Sequence, residues 1–160
     1  MPQTTTLIKL LTGWDVYQQH LVSAVAPLTS EQLALRAAPH LRSIMTIAAH
    51  IISARVWWFH FVMQEGPDHL QPMVEWDDDG MPDRTALELV NGLNETWDLI
   101  RMGLERWTLD DLERSFSRPE AEATIYTRQW IIWHVLEHDL HHGGELSLTL
   151  GDHNLPAIDL

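Results

Sequence analysis

No cysteine occurs in the 160 residues, which removes disulfides, cysteine-ligated zinc and thiol nucleophiles together and fits a cytoplasmic protein. Positive charge is scarce as well. Ten Lys and Arg stand against 23 Asp and Glu, for a formal net charge of −13, so the electrostatic footprint of a nucleic-acid binder is missing. No apolar run approaches a membrane span. The opening MPQTTTLIKLL has no basic segment followed by a long apolar one, so a signal peptide is not expected. There is no G-x-S-x-G, no Gly-rich nucleotide loop and no P-loop. Strand signals are sparse, and Ala123–Tyr126 is too short to weigh.

What remains is apolar and periodic. Hydrophobic residues make up 45% of the chain and include eight Trp, enough for one core in one domain over residues 1–160. Leu7, Leu10, Trp14, Tyr17, Leu21 and Ala24 alternate spacings of three and four, which predicts a helix from about Thr5 to Val25. Thr29 and Gln32 have capping-box spacing for a short helix that Ala38-Pro39 stops. A second long helix starts near Ser43, its N-cap candidate, with Ile47, His50, Ala54, Trp57 and Phe61 on one face. Gly66–Asp83, rich in Pro, Gly and acids, reads as a long solvated loop. Its Glu75–Gly80 stretch faintly resembles a calcium loop, but Ala86 stands where the bidentate Glu belongs, which rejects that reading. A third helix spans about Arg84–Trp107, with Asp83 as N-cap candidate and an apolar stripe through Val90, Leu93, Trp97, Ile100 and Leu104. The fourth opens at Thr127 and runs to about Leu150, with Gly143-Gly144 marking a bend or a close approach of another backbone. The fold class expected is all-α, a four-helix bundle.

The fourth helix carries His134, His138, His141 and His142, four of the chain's ten histidines. His138 and His142 are four apart and share a helix face, so they can bind one ion if a third ligand comes from elsewhere. His50 is the best candidate. Three neutral imidazoles on a divalent ion leave a position for water or substrate, the arrangement of catalytic zinc, and such an ion lowers the pKa of a bound water or thiol. A second option is His134-Val135-Leu136-Glu137-His138, of H-x-x-E-H form, with Glu137 as general base. It lacks a convincing downstream acidic ligand and ranks lower. His134 otherwise supports the site or packs in the core, and His141 falls at the rim. Glu145 returns to the His138 face, where it can orient a ligand or act on bound water, and it is the one in-register candidate for a catalytic acid or base. Glu137 and Asp139 fall off this stripe and are expected to face solvent. His20 and His60 have no partner at metal spacing. A di-iron carboxylate site needs Glu-x-x-His, which none of the four helices contains.

These residues resemble the DinB-like (DinB/YfiT) superfamily of metal-binding four-helix bundles over nearly the whole length. The resemblance rests on Leu28–Leu33, on Ser43–Trp58 with its central His50, and on Trp130–Leu146, where Trp130, His134, His138, His142, Gly144 and Glu145 follow W-x-x-x-H-x-x-x-H-x-x-x-H-x-G-[QE]. It implies an up-down-down-up bundle, often a homodimer, with zinc or nickel on His50, His138 and His142. It also implies thiol-dependent transfer or isomerisation with low-molecular-weight thiols such as mycothiol or bacillithiol, or hydrolase chemistry. The chain departs from the pattern at Gly143, where a basic residue is common, and at Glu145, where Gln is common. The expected function is that of a divalent-metal enzyme, a hydrolase or thiol transferase acting on a small molecule. The alternative is a non-catalytic metal-binding stress-response bundle acting through dimerisation.

Overall fold

The computed structural model describes residues 7–9 and 11–160. The described helices are α1 (Thr12–Val25), the short α2 (Ser30–Leu33), α3 (Ile44–Val56), α4 (Ala86–Arg106) and α5 (Arg128–Asp152). A hairpin of β1 (Ser115–Arg118) and β2 (Ala121–Thr127) stands between α4 and α5.

Local chemistry sets most helix starts. Thr29 and Gln32 form the expected capping box, the Ser43 hydroxyl accepts from the Thr46 N–H, and the Thr127 hydroxyl accepts from the Trp130 N–H. The N-cap of α4 is Thr85 rather than Asp83: Thr85 and Glu88 make a second capping box, and the helix begins at Ala86. Likewise α1 begins at Thr12, not near Thr5; Leu7–Lys9 form a separate 3-10 turn, and Thr5 and Leu10 lie outside the described residues.

α3 is the central helix, packed on both α4 and α5, while α1 packs on α4. Its sequence explains this position. Ile44, Ile47, Ala48, Ile51, Ile52 and Val56 are fully buried and spread over about half of the helix circumference, an arc wide enough to meet two neighbours at once. α4 has one stripe instead, through Leu89, Leu93, Trp97, Ile100 and Leu104, and exposes its opposite face.

The core contains a polar network of buried charges. Arg55 and Asp139 are both fully buried. The guanidinium donates from Nη2 to Asp139 Oδ2 at 2.7 Å and from Nη1 to the Leu93 carbonyl at 3.2 Å and Thr96 Oγ1 at 3.3 Å. Trp14 Nε1 donates to the same carboxylate at 2.7 Å. One cluster thus ties α1, α3, α4 and α5 together. Asp139 is therefore not a solvent-facing acid: Val135, Asp139, Gly143 and Leu146 form the inward stripe of α5.

The protein is mostly helical, in keeping with the expected class, with one addition: Ser115–Thr127 forms an antiparallel hairpin pairing Phe116 with Tyr126, with an irregularity between Ser117 and Arg118. Two further expectations are corrected. Gly143-Gly144 neither breaks α5 nor admits another backbone; a Cβ at Gly143 would collide with the Tyr17 hydroxyl from α1. Finally, Gly66–Asp83 is not a bare loop: Asp68–Glu75 is a 3-10 helix that seats Leu70 and Met73 in the core. Among the described residues, no helix is long and apolar enough to cross a membrane.

Candidate metal centre

His50 projects from α3, and His138 and His142 project one turn apart from α5. Although 88 positions apart, His50 Nε2 and His138 Nε2 lie 3.1 Å from each other. The three ring centres form a near-equilateral triangle with sides of 4.7, 4.6 and 4.4 Å. Each ring offers one nitrogen, and these atoms lie within 4.8 Å of one another. Among the described residues this is the single group of three or more His, Asp or Glu side chains that converges so closely.

Two carboxylates stand behind the rings. His50 Nδ1 is 2.6 Å from Asp77 Oδ2, and His142 Nδ1 is 2.8 Å from Glu145 Oε2. An ionised carboxylate only accepts, so each Nδ1 carries a proton and each Nε2 turns its lone pair to the centre of the triangle. Burial pushes the Asp77 carboxyl up, but hydrogen bonds from His50 and Ser53 outweigh it and leave Asp77 below the usual carboxylate range. His138 and His142 are kept neutral. Burial, reinforced by the neighbouring histidines, holds His138 down to about 3, and burial also lowers His142 against the opposing pull of Glu145.

This donor set fits a divalent ion. Two nitrogens at the usual zinc–imidazole bond length of about 2.0–2.1 Å in tetrahedral geometry stand roughly 3.3 Å apart, close to the observed 3.1 Å. Carboxylate-backed imidazoles are also the recurring second layer of zinc and nickel sites. His138 lacks this backing: its Nδ1 is buried without a hydrogen-bond partner.

The other sequence candidates fall around the triangle. His134 does not join it. Its ring stacks on Trp130 at 4.7 Å and meets the Trp58 edge at 5.1 Å, and burial lowers its pKa. Glu137 is largely exposed and His141 lies at the rim against His142. His60 is buried against the Glu65 carbonyl, away from the site. The face of α3 that carries His50 is half-buried, not core: Ala54, Trp57 and Phe61 are only partly covered. It lines a cleft of about 380 Å³ that reaches Trp58, Asp77, Arg118, His134 and His138. A π-helix over Trp57–Val62 continues α3 there and turns both Trp57 and Trp58 towards the cleft.

Sequence reasoning missed Asp77 and Arg118. Asp77 sits within Asp77-Asp78-Asp79, where nothing local separates a ligand-orienting acid from a solvated one. Arg118 depends on a hairpin with weak propensity. Asp139 did carry a signal: it interrupts the apolar i, i+4 series between Val135 and Gly143.

The fold is that of the DinB-like proteins. A DinB-like protein from Bacillus cereus superposes with a TM-score of 0.73 at 15% identity, over 99% of each chain. A protein of Enterococcus faecalis superposes with a TM-score of 0.67 at 15% identity, over 92% of this chain and 99% of the other. A search of curated proteins gave no match. Within this fold class the sequence is more specific: the chain belongs to the Mycothiol-S-transferase family, whose model matches residues 9–149.

Proposed function

We propose that the protein is a divalent-metal-dependent thiol S-transferase, one domain over residues 1–160, with His50, His138 and His142 as metal ligands. The observation that carries this reading is the triangle of converging imidazoles, two of them backed by carboxylates, in a chain of the Mycothiol-S-transferase family. Zinc or nickel suits imidazole donors. When bound, such an ion lowers the pKa of a coordinated thiol and so presents sulfur as the nucleophile. The thiol is a low-molecular-weight one, mycothiol by family.

The chain's own residues supply the rest. Asp77 and Glu145 fix the tautomers of His50 and His142. Glu145 therefore acts through His142 and not as a catalytic base. Burial keeps His138 uncharged, so it does not repel a cation. Trp57 and Trp58 wall the adjoining cleft and limit water there. Clamping α3 to α5 through an ion would also stabilise the fold, which we read as up-down-down-up for the four long helices. The same reading includes a homodimer in the cytoplasm, supported by the exposed Val16, Trp133 and Leu140 on the α1 and α5 surface and by the lack of cysteine.

The test is thiol consumption with an electrophile such as 1-chloro-2,4-dinitrobenzene, using mycothiol and bacillithiol, on wild type and His138→Ala. Metal-dependent turnover that His138→Ala abolishes is the expected outcome. Equal rates in both proteins would overturn the assignment, and no turnover with a broad electrophile panel would favour a non-catalytic metal-binding role.

A further inference from the structure

The cleft beside the histidine triangle has a feature that metal binding does not use. Arg118 is the one Arg or Lys among the described residues that line it. It stands at the end of β1, beside the irregularity that separates the Ser117 and Arg118 pairings. Its guanidinium carbon lies 6.0 Å from the centre of the Trp58 ring. Trp58 in turn meets Tyr126 at 5.3 Å, Trp130 at 5.4 Å and His134 at 5.1 Å, all edge to face. The hairpin therefore brings a cation over an aromatic wall that leads to His138 and His50.

We propose that Arg118 is a specificity-determining residue that binds the carboxylate of a flat, unsaturated second substrate, whose ring or conjugated system lies against Trp58. The chemistry of the wall supports this class. π-faces favour a flat partner over a branched aliphatic one. A guanidinium offers five donors in a planar fork suited to carboxylates. Glu120 engages Nε, at 2.8 Å, and Nη2, and the Tyr126 hydroxyl also stands close to the guanidinium; five donors exceed these partners, so donor capacity remains. Arg118 is about one-third exposed and Glu120 about half, so that pair is weak and exchangeable. Charge contrast adds to the argument. With Asp77 and Asp78 also facing the cleft, Arg118 is the one place within it for an anion to sit. A carboxylate held there directs the rest of the molecule along Trp58 towards the histidines.

The inference rests on the thiol-transfer reading for the identity of the ligand as a co-substrate, but its test does not need turnover. The 160-residue chain as purified is titrated calorimetrically with 2-naphthoate and with 2-naphthamide, which share a ring system and differ in charge. Wild type is expected to bind the carboxylate roughly ten-fold more tightly than the amide, the scale of a hydrogen bond to a charged group. Arg118→Gln removes that preference and leaves naphthamide affinity unchanged. Glu120→Gln, which frees the guanidinium, increases the preference. A preference that survives Arg118→Gln would overturn the proposal, as would wild type binding neither ligand. Metal content measured on the same preparations separates the two claims. Arg118-dependent binding in protein that takes up no zinc on loading would refute the metal-centre reading and leave the anion site standing.

Discussion

His138 and Asp139 are adjacent on α5, and each meets α3, yet they belong to opposite kinds of polar cluster. Asp139 faces Arg55 in a closed network in which the carboxylate receives donors from Arg55 and Trp14, and both charges are fully buried. His138 faces His50 across 3.1 Å in a cluster whose Nε2 lone pairs point at a common centre and whose His138 Nδ1 has no partner. A satisfied network is architecture; it fixes the rotation of α5 against α3. A cluster with donor atoms left over is a site. Because the two are one residue apart, the first holds the second in register: locking Asp139 inward sets His138 and His142 on the neighbouring face.

Breaking the closed cluster should have the largest effect. Asp139→Ala leaves the Arg55 guanidinium buried without its counter-charge, which should cost about 3–5 kcal/mol, read as a large fall in the urea midpoint. Replacing both partners by Leu and Met should cost much less; equal losses would show that the pair does not act as a unit.

Gly143→Ala lies between the two clusters. The added methyl collides with the Tyr17 hydroxyl, and overpacking of this kind costs about 1–3 kcal/mol. Since Gly143 adjoins His142, metal affinity should fall with stability in the same variant. A thermal melt and a zinc titration unchanged from wild type would contradict the close α1–α5 approach.

Asp77→Asn tests the open cluster alone. It removes the acceptor behind His50 and should weaken metal binding about 10–100-fold with little change in the stability of the metal-free protein. A competition titration against a chromophoric chelator measures this. A variant with wild-type affinity would show that Asp77 does not support the ligand.

The clusters also differ in how far the sequence discloses them. The long helices were legible because their apolar residues repeat at three and four, and Thr29, Ser43 and Thr127 are side-chain caps as their positions suggest. The histidine triangle was legible for the same reason, since two of its members, His138 and His142, stand one turn apart on α5. Asp77 was not, because a 3-10 helix that no periodicity announces swings the acidic loop back over His50. The hairpin was hidden by its short β1 and its irregular register. The buried ion pair was misread because charge argues for solvent unless a partner is known, and Arg55 lies 84 positions away.

We propose that His50, His138 and His142, and not His134, hold one ion. The most direct measurement is metal stoichiometry by elemental analysis, after zinc loading and desalting, of wild type, His142→Ala and His134→Ala. One ion per chain in wild type and His134→Ala, with loss in His142→Ala, is the predicted result. Retention of metal by His142→Ala together with its loss from His134→Ala would contradict the assignment.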